Sequence, residues 1–138
     1  MFLLDTNAIS ELRRPVRAHP GLLAWAGGVS PADLFFPAIT LFKVELGAGQ
    51  VGRRDAAQGA VLRAWIDTQV IPAFRGRILP VDAEVAQRCA TLHVPDPRPQ
   101  GDSLIAATAL VHRLTVVTRN VRDFEPMGVA LLNPWISN

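Results

Sequence analysis

Three aspartates and an asparagine stand where a parallel α/β chain would place its chemistry. Asp5 directly follows the apolar run Phe2-Leu3-Leu4, and Asn120 and Asp123 follow the run Thr115-Val116-Val117-Thr118. Open sheets bind ligands beyond the carboxyl ends of their strands, so these positions fall on one edge. Asp102 lies at a helix start that could point to the same edge. Carboxylates gathered in one place repel each other unless a cation sits among them. Oxygen donors without cysteine or histidine favour Mg²⁺ or Mn²⁺ over zinc. Each residue also has an ordinary reading: Asp102 and Asp82 suit helix N-caps, and Asp123 suits a turn. Asp5 is harder to explain that way, because a carboxylate directly after an apolar strand destabilises unless it is solvated or paired. The joint placement of the set on one edge points to a site.

Other chemistries find less support. His93 and His112 fall near helix C-termini, where the dipole favours a cation, and His19 precedes a proline. None pairs with a serine or with Cys89 in a nucleophile motif. Cys89, on a face with Val85, Ala86 and Leu92, reads as core. No glycine-rich phosphate loop is present.

The elements that position these residues alternate between strand and helix. Phe2–Leu4 reads as a buried strand leading into a helix from Ala8 to Arg13, which Pro15 stops. A second short helix fits Pro20–Ala26. Leu34–Ala38 is a strand candidate, followed by a helix from Leu41 to Ala48 with Thr40 as N-cap and Gly47 and Gly49 at its end. A long helix fits Arg54–Val70, with Ala57, Val61, Ala64, Trp65 and Thr68 on one face. A strand at Arg77–Val81 precedes a helix from Ala83 to His93, capped by Asp82. Pro95, Pro97 and Pro99 stiffen a loop, and Asp102 opens a helix running Ser103–His112. Strands at Thr115–Thr118 and Val129–Leu132 flank a polar turn, Arg119–Asp123. The pattern implies an α/β fold with a mostly parallel sheet, and residues 1–138 read as one domain. Ile9, Leu12, Val61 and Trp65 could line a partner groove, with core the favoured reading.

Bulk properties narrow the class. A chain of 138 residues, 49% hydrophobic, buries a real core and is not disordered. No apolar stretch approaches the roughly 18 residues of a membrane span, and Asp5 interrupts any leader-like run, so a cytoplasmic protein is expected. One cysteine excludes an internal disulfide. A net charge of +2 excludes a polycation; of the 14 Lys and Arg, Lys43 is the only lysine. Arginine's planar fork suits phosphate, and the groups Arg13/Arg14/Arg17, Arg53/Arg54, Arg75/Arg77 and Arg119/Arg122 could flank a nucleic-acid backbone or simply be solvated.

Several segments together resemble VapC/FitB-type PIN-domain toxins: Phe2-Leu3-Leu4-Asp5-Thr6-Asn7-Ala8-Ile9-Ser10-Glu11-Leu12-Arg13, Ala38-Ile39-Thr40 with Gly47, Gly76–Pro80, Asp102-Ser103-Leu104-Ile105-Ala106-Ala107-Thr108-Ala109, Thr115–Asn120 and Asn133-Pro134-Trp135. The resemblance spans nearly the whole chain. It implies a PIN-like three-layer fold and a homodimeric, Mg²⁺-dependent endoribonuclease held inactive by a cognate VapB-like antitoxin. It assigns metal ligation to Asp5, Asp102 and Asp123. Thr6, Asn7, Thr118 and Asn120 support the site, and Arg119 and Arg122 are candidates to grip RNA.

One position departs from the family pattern. Where a second acidic residue is expected, three residues after Thr40 and four before Gly47, stands Lys43. Glu45 is a possible substitute, but two helical residues are about 200° apart, so it would face away. An ammonium among carboxylates would compete with the cation, weakening Mg²⁺ binding and cleavage. The plainer alternative is a solvated lysine with its stem on apolar neighbours. A second functional class, an inactive PIN module that binds antitoxin or RNA without cleaving, follows from Lys43. An aspartate-nucleophile phosphatase would want a second aspartate where Asn7 stands.

Overall fold

Residues 1–136 are described by a computed structural model. Five parallel strands form one sheet in the order β3-β2-β1-β4-β5. They are β1 (Phe2–Leu4), β2 (Leu34–Pro37), β3 (Ile78–Leu79), β4 (Thr115–Val117) and β5 (Leu131–Leu132). Parallel neighbours need a crossover, and the helices between strands supply it. Phe2, Leu3 and Leu4 pair with Thr115, Val116 and Val117, while Phe2 and Leu3 pair with Leu34 and Phe35, so β1 is central.

Successive strand residues point to opposite faces, and the core follows that alternation. Leu3 joins Ile105, Ala106, Val116 and Phe124 on one side of the sheet. Leu4 joins Ala8, Ile9, Leu22, Phe36 and Val117 on the other. Helices cover both faces, giving the expected three layers. The short strands are near-continuously apolar because both their faces are covered.

The helices depart from the sequence reading in instructive ways. α1 (Thr6–Leu12) begins directly after Asp5, which caps it. α2 spans Pro20–Gly27. α3 runs Ala38–Arg54, starting from the extended Pro37 and continuing through both glycines. Thr40 is therefore not its cap but a fully buried residue of its first turn. Gly47 and Gly49 do not end it, since neither needs a left-handed backbone and the helical bonds continue past them.

The expected Arg54–Val70 helix is divided. Asp55 turns extended and caps α4 (Ala56–Trp65), accepting from the Gln58 amide at 3.1 Å. A π-helical turn over Ile66–Val70 then passes into α5 (Ile71–Ala73). Of the face expected to be apolar core, Ala57, Val61, Ala64 and Thr68 are exposed; the buried line is Gly59, Ile66 and Val70. Alanine-rich helices look apolar on more than one face, and here the close crossing with α3 selects the glycine face.

The remaining expectations are met with small shifts at the ends. Asp82 caps α6 (Ala83–Leu92) through the Val85 amide at 3.0 Å. α7 spans Gln100–His112, so Asp102 is its third residue and not its opening one. The turn Arg119–Asp123 contains a short helix, α8 (Val121–Phe124). Among the described residues no helix is long and apolar enough to cross a membrane.

Candidate active site

The carboxyl end of β1 meets that of β4 through side chains. Asp5 is 5% exposed, and both its oxygens are bonded: Oδ1 accepts from the Thr6 amide at 2.7 Å, and Oδ2 accepts from the Thr118 hydroxyl at 2.8 Å. Its own amide donates to the Val117 carbonyl at 3.1 Å, extending the strand ladder by one residue. The Thr118 oxygen in turn accepts from the Asn120 amide at 3.0 Å. A buried carboxylate directly after an apolar strand is tolerated because these donors replace its water.

Asp102 enters from the first turn of α7. Its carboxyl is held above the ordinary 3.8, first by burial; Lys43 pulls it down, and Asp5 and Asp123 push it up. Asp102 thus lies within reach of the charges of Asp5, Asp123 and Lys43. Asp123 stands exposed in the first turn of α8, and Asn120, also exposed, makes no side-chain cap. Nearby, Thr6 Oγ1, Asn7 Oδ1 and Thr40 Oγ1 are buried without a hydrogen-bond partner. Native proteins rarely leave such atoms unpaired without water or an ion. Thr40 escaped the sequence reading because Thr before a helical run signals a cap.

Lys43 and Glu45 go to opposite sides of α3. A Cβ added to Gly101 would lie 2.7 Å from Lys43 Nζ and 2.9 Å from its Cε, so the ammonium end rests on the first turn of α7. Glu45 instead pairs with Arg63 of α4, accepting from Nη2 at 2.7 Å and also from Nη1. Arg63 further reaches Asp67 at 3.1 Å. Glu45 does not fill the position that Lys43 occupies.

Arg119 follows Thr118 directly and is fixed at the rim. Its Nη2 donates to Glu11 Oε1 at 3.1 Å, its guanidinium lies 4.9 Å from the Trp135 ring centroid, and Trp135 Nε1 donates to Glu11 Oε2. Arg122 is exposed on α8. The Glu11–Trp135 bond spans 124 positions and has no signature in spacing.

Apart from this edge, Leu4, Ile9, Leu12, Arg13, Trp65 and Val70 contribute to a groove of about 150 Å³. Ile9 is core, Leu12 and Trp65 are half-buried groove walls, and Val61 is 53% exposed. Leu12 and Trp65 pack against the same buried cluster as Ile9, so the core reading holds for these three and fails for Val61.

The donor chemistry, three carboxylates with unpaired hydroxyl and amide oxygens, suits a hard divalent cation. The arrangement does not fit one as it stands. Among the described residues no three His, Cys, Asp or Glu side chains lie close enough to hold an ion, and the Lys43 ammonium lies at Gly101 beside Asp102.

A three-layer parallel sheet with acidic residues at its carboxyl edge defines an α/β protein of the type that binds ligands beyond its strand ends. More particularly, the chain belongs to the PIN domain family, whose model matches residues 2–128. It is similar to Toxin FitB of Neisseria gonorrhoeae, 36% identical over 141 residues, covering 98% of this chain and 99% of that one. It is similar also to VapC ribonuclease Y4jK of Sinorhizobium fredii, 34% identical over 145 residues and 98% of each. The solved structure described as FitAcB from Neisseria gonorrhoeae superposes with a TM-score of 0.89 at 36% identity, over 98% of this chain and 99% of that one.

Proposed function

We propose that this protein is the ribonuclease toxin of a toxin–antitoxin pair, hydrolysing RNA phosphodiesters at the edge formed by Asp5, Asp102 and Asp123. The observation that carries the reading is the buried Asp5–Thr118 bond, which fixes one carboxylate within reach of Asp102. The relatives named as a toxin and as a VapC ribonuclease support it. Its partners are a VapB-like antitoxin, RNA and a second copy of the chain.

Phosphodiester hydrolysis needs a base for the attacking water and positive charge for the developing phosphorane. Asp102, whose proton affinity is raised, suits the base better than Asp5, whose oxygens are both occupied by donors. Thr118 holds Asp5, and Arg119, braced by Glu11 and Trp135, presents fixed positive charge at the rim for the RNA backbone. The donors suit Mg²⁺ or Mn²⁺ in kind but are not gathered closely enough to hold one. Asp5, Asp102 and Asp123, with Thr6, Asn7 and Asn120 in support, are the residues that would have to converge on it, and the chain carries Lys43 against it.

Lys43 favours a second reading, a PIN module that binds antitoxin or RNA without cutting. Cleavage of a mixed RNA with Mg²⁺, Mn²⁺ or EDTA separates the two, using the protein, Lys43→Glu and Lys43→Glu/Asp5→Ala. Metal-dependent cutting by the protein itself supports the nuclease, whereas cutting by Lys43→Glu alone, lost with Asp5→Ala, marks a PIN nuclease silenced at one position. Folded but inert protein in all three supports the binding module.

A further inference from the structure

We propose that Lys43, lodged over Gly101, is a tethered counter-cation that charge-compensates the aspartate edge and so reduces its demand for a divalent ion. The inference rests on the reading of this edge as the phosphodiester-cleaving site.

Three observations converge on it. The ammonium end of Lys43 occupies the space a side chain at position 101 would take, and position 101 is glycine, so nothing displaces it. Asp102 is the next residue along α7, so the ammonium end of Lys43 sits on the same helical turn as a carboxylate of the edge. The ammonium lies against the N-terminal turn of α7, whose free amides repel cations. A half-buried lysine resting there is favoured by nearby negative charge, and Asp102 stands in the same turn.

The alternative arrangement is also closed off. Glu45, the only acid one helical turn or less from Lys43, is committed to Arg63 on α4, on the other side of α3. Among the described residues Lys43 itself makes no close ion pair, so its pull on Asp102 acts across space. A divalent ion entering the edge therefore meets an ammonium beside Asp102 that it must displace or tolerate. Like-charge repulsion between that ammonium and an entering divalent ion lowers the affinity of the edge for the ion.

Gly101 gives the idea a test that does not touch a carboxylate. A methyl at position 101 takes the ammonium's place, and the flexible lysine swings out to solvent. The experiment is Mn²⁺ titration of the folded full chain, followed by electron paramagnetic resonance of free Mn²⁺, with thermal melts in EDTA and in Mn²⁺. The proteins are the chain itself, Lys43→Gln, Lys43→Glu, Gly101→Ala and Glu45→Ala. Lys43→Gln and Lys43→Glu are expected to bind Mn²⁺ at least about tenfold more tightly than the chain itself, and Gly101→Ala several-fold more tightly. Glu45→Ala is expected to leave the affinity unchanged. In EDTA, Lys43→Gln melts lower than the chain itself and regains the difference with Mn²⁺. Equal Mn²⁺ affinity in the chain itself and in Lys43→Gln would overturn the inference while leaving the nuclease reading intact. Absence of Mn²⁺ binding in every protein, Lys43→Glu included, would overturn both.

Discussion

The Thr118 hydroxyl donates to Asp5 Oδ2 at 2.8 Å, joining the ends of two adjacent strands whose residues lie 113 positions apart. The same oxygen accepts from the Asn120 amide, so one threonine orients the carboxylate and the turn that carries Arg119. Thr118→Val keeps the shape and removes both bonds. The expected result is a loss of about 1–3 kcal/mol in denaturant unfolding, since a buried carboxylate loses a donor and a backbone amide loses its acceptor. Thr118→Ser is expected to recover most of it, which separates the hydroxyl from the packing.

Glycine carries the crossing of α3 and α4. A Cβ on Gly59 would lie 2.4 Å from the Gly52 Cα and 2.9 Å from its nitrogen, both backbone atoms that cannot step aside. Gly59→Ala is therefore expected to destabilise by about 1–3 kcal/mol despite the better helix propensity of alanine. At Gly49 an added Cβ meets nothing within 4 Å, so Gly49→Ala is expected to stabilise by about 0.5–1 kcal/mol. Urea melts of the two variants should move in opposite directions. If they move together, the tight crossing is not what selects Gly59.

Asp102 sets a pH dependence of defined sign. Its folded carboxyl titrates above 3.8, chiefly through burial, so the ionised form is the disfavoured one in the folded protein. The contribution of this residue to stability is fully present below the unfolded pKa and is lost as pH rises through the folded value. Asp102→Asn is thus expected to melt higher than the parent at neutral pH in EDTA, with the gap narrowing as the solution is acidified below the folded pKa. A gap independent of pH would show that titration of this carboxyl is not its source.

The layer architecture was legible in the sequence because apolar runs and helix caps are local signals. Phe2–Leu4 and Thr115–Val117 are apolar on both faces, as central parallel strands must be, and Asp82 announced α6. The long α3–α4 segment was misread for a physical reason. Glycine and alanine carry little periodic information, so Gly47 looked like a stop and Ala57, Ala64 and Val61 looked like core. The real boundary, an extended Asp55, depends on how the two helices cross.

By itself, the sequence determined which residue types were available for chemistry, aspartates after apolar strands and a lone lysine. It also determined, through helical phase, that Lys43 and Glu45 diverge. That Cys89 and His93 both meet the Ser103 hydroxyl, at 3.3 and 2.8 Å, against the expectation that no histidine pairs with a serine, came only with the fold. Only the tertiary structure decided what each then touches. Glu45 is taken by Arg63, Lys43 rests on Gly101 from another helix, and Arg119 is braced by Glu11 and Trp135 from opposite ends of the chain. Such contacts join residues whose separation along the chain has no characteristic length, because they are set by the order in which strands pair and the angle at which helices cross. Spacing cannot encode them; packing does.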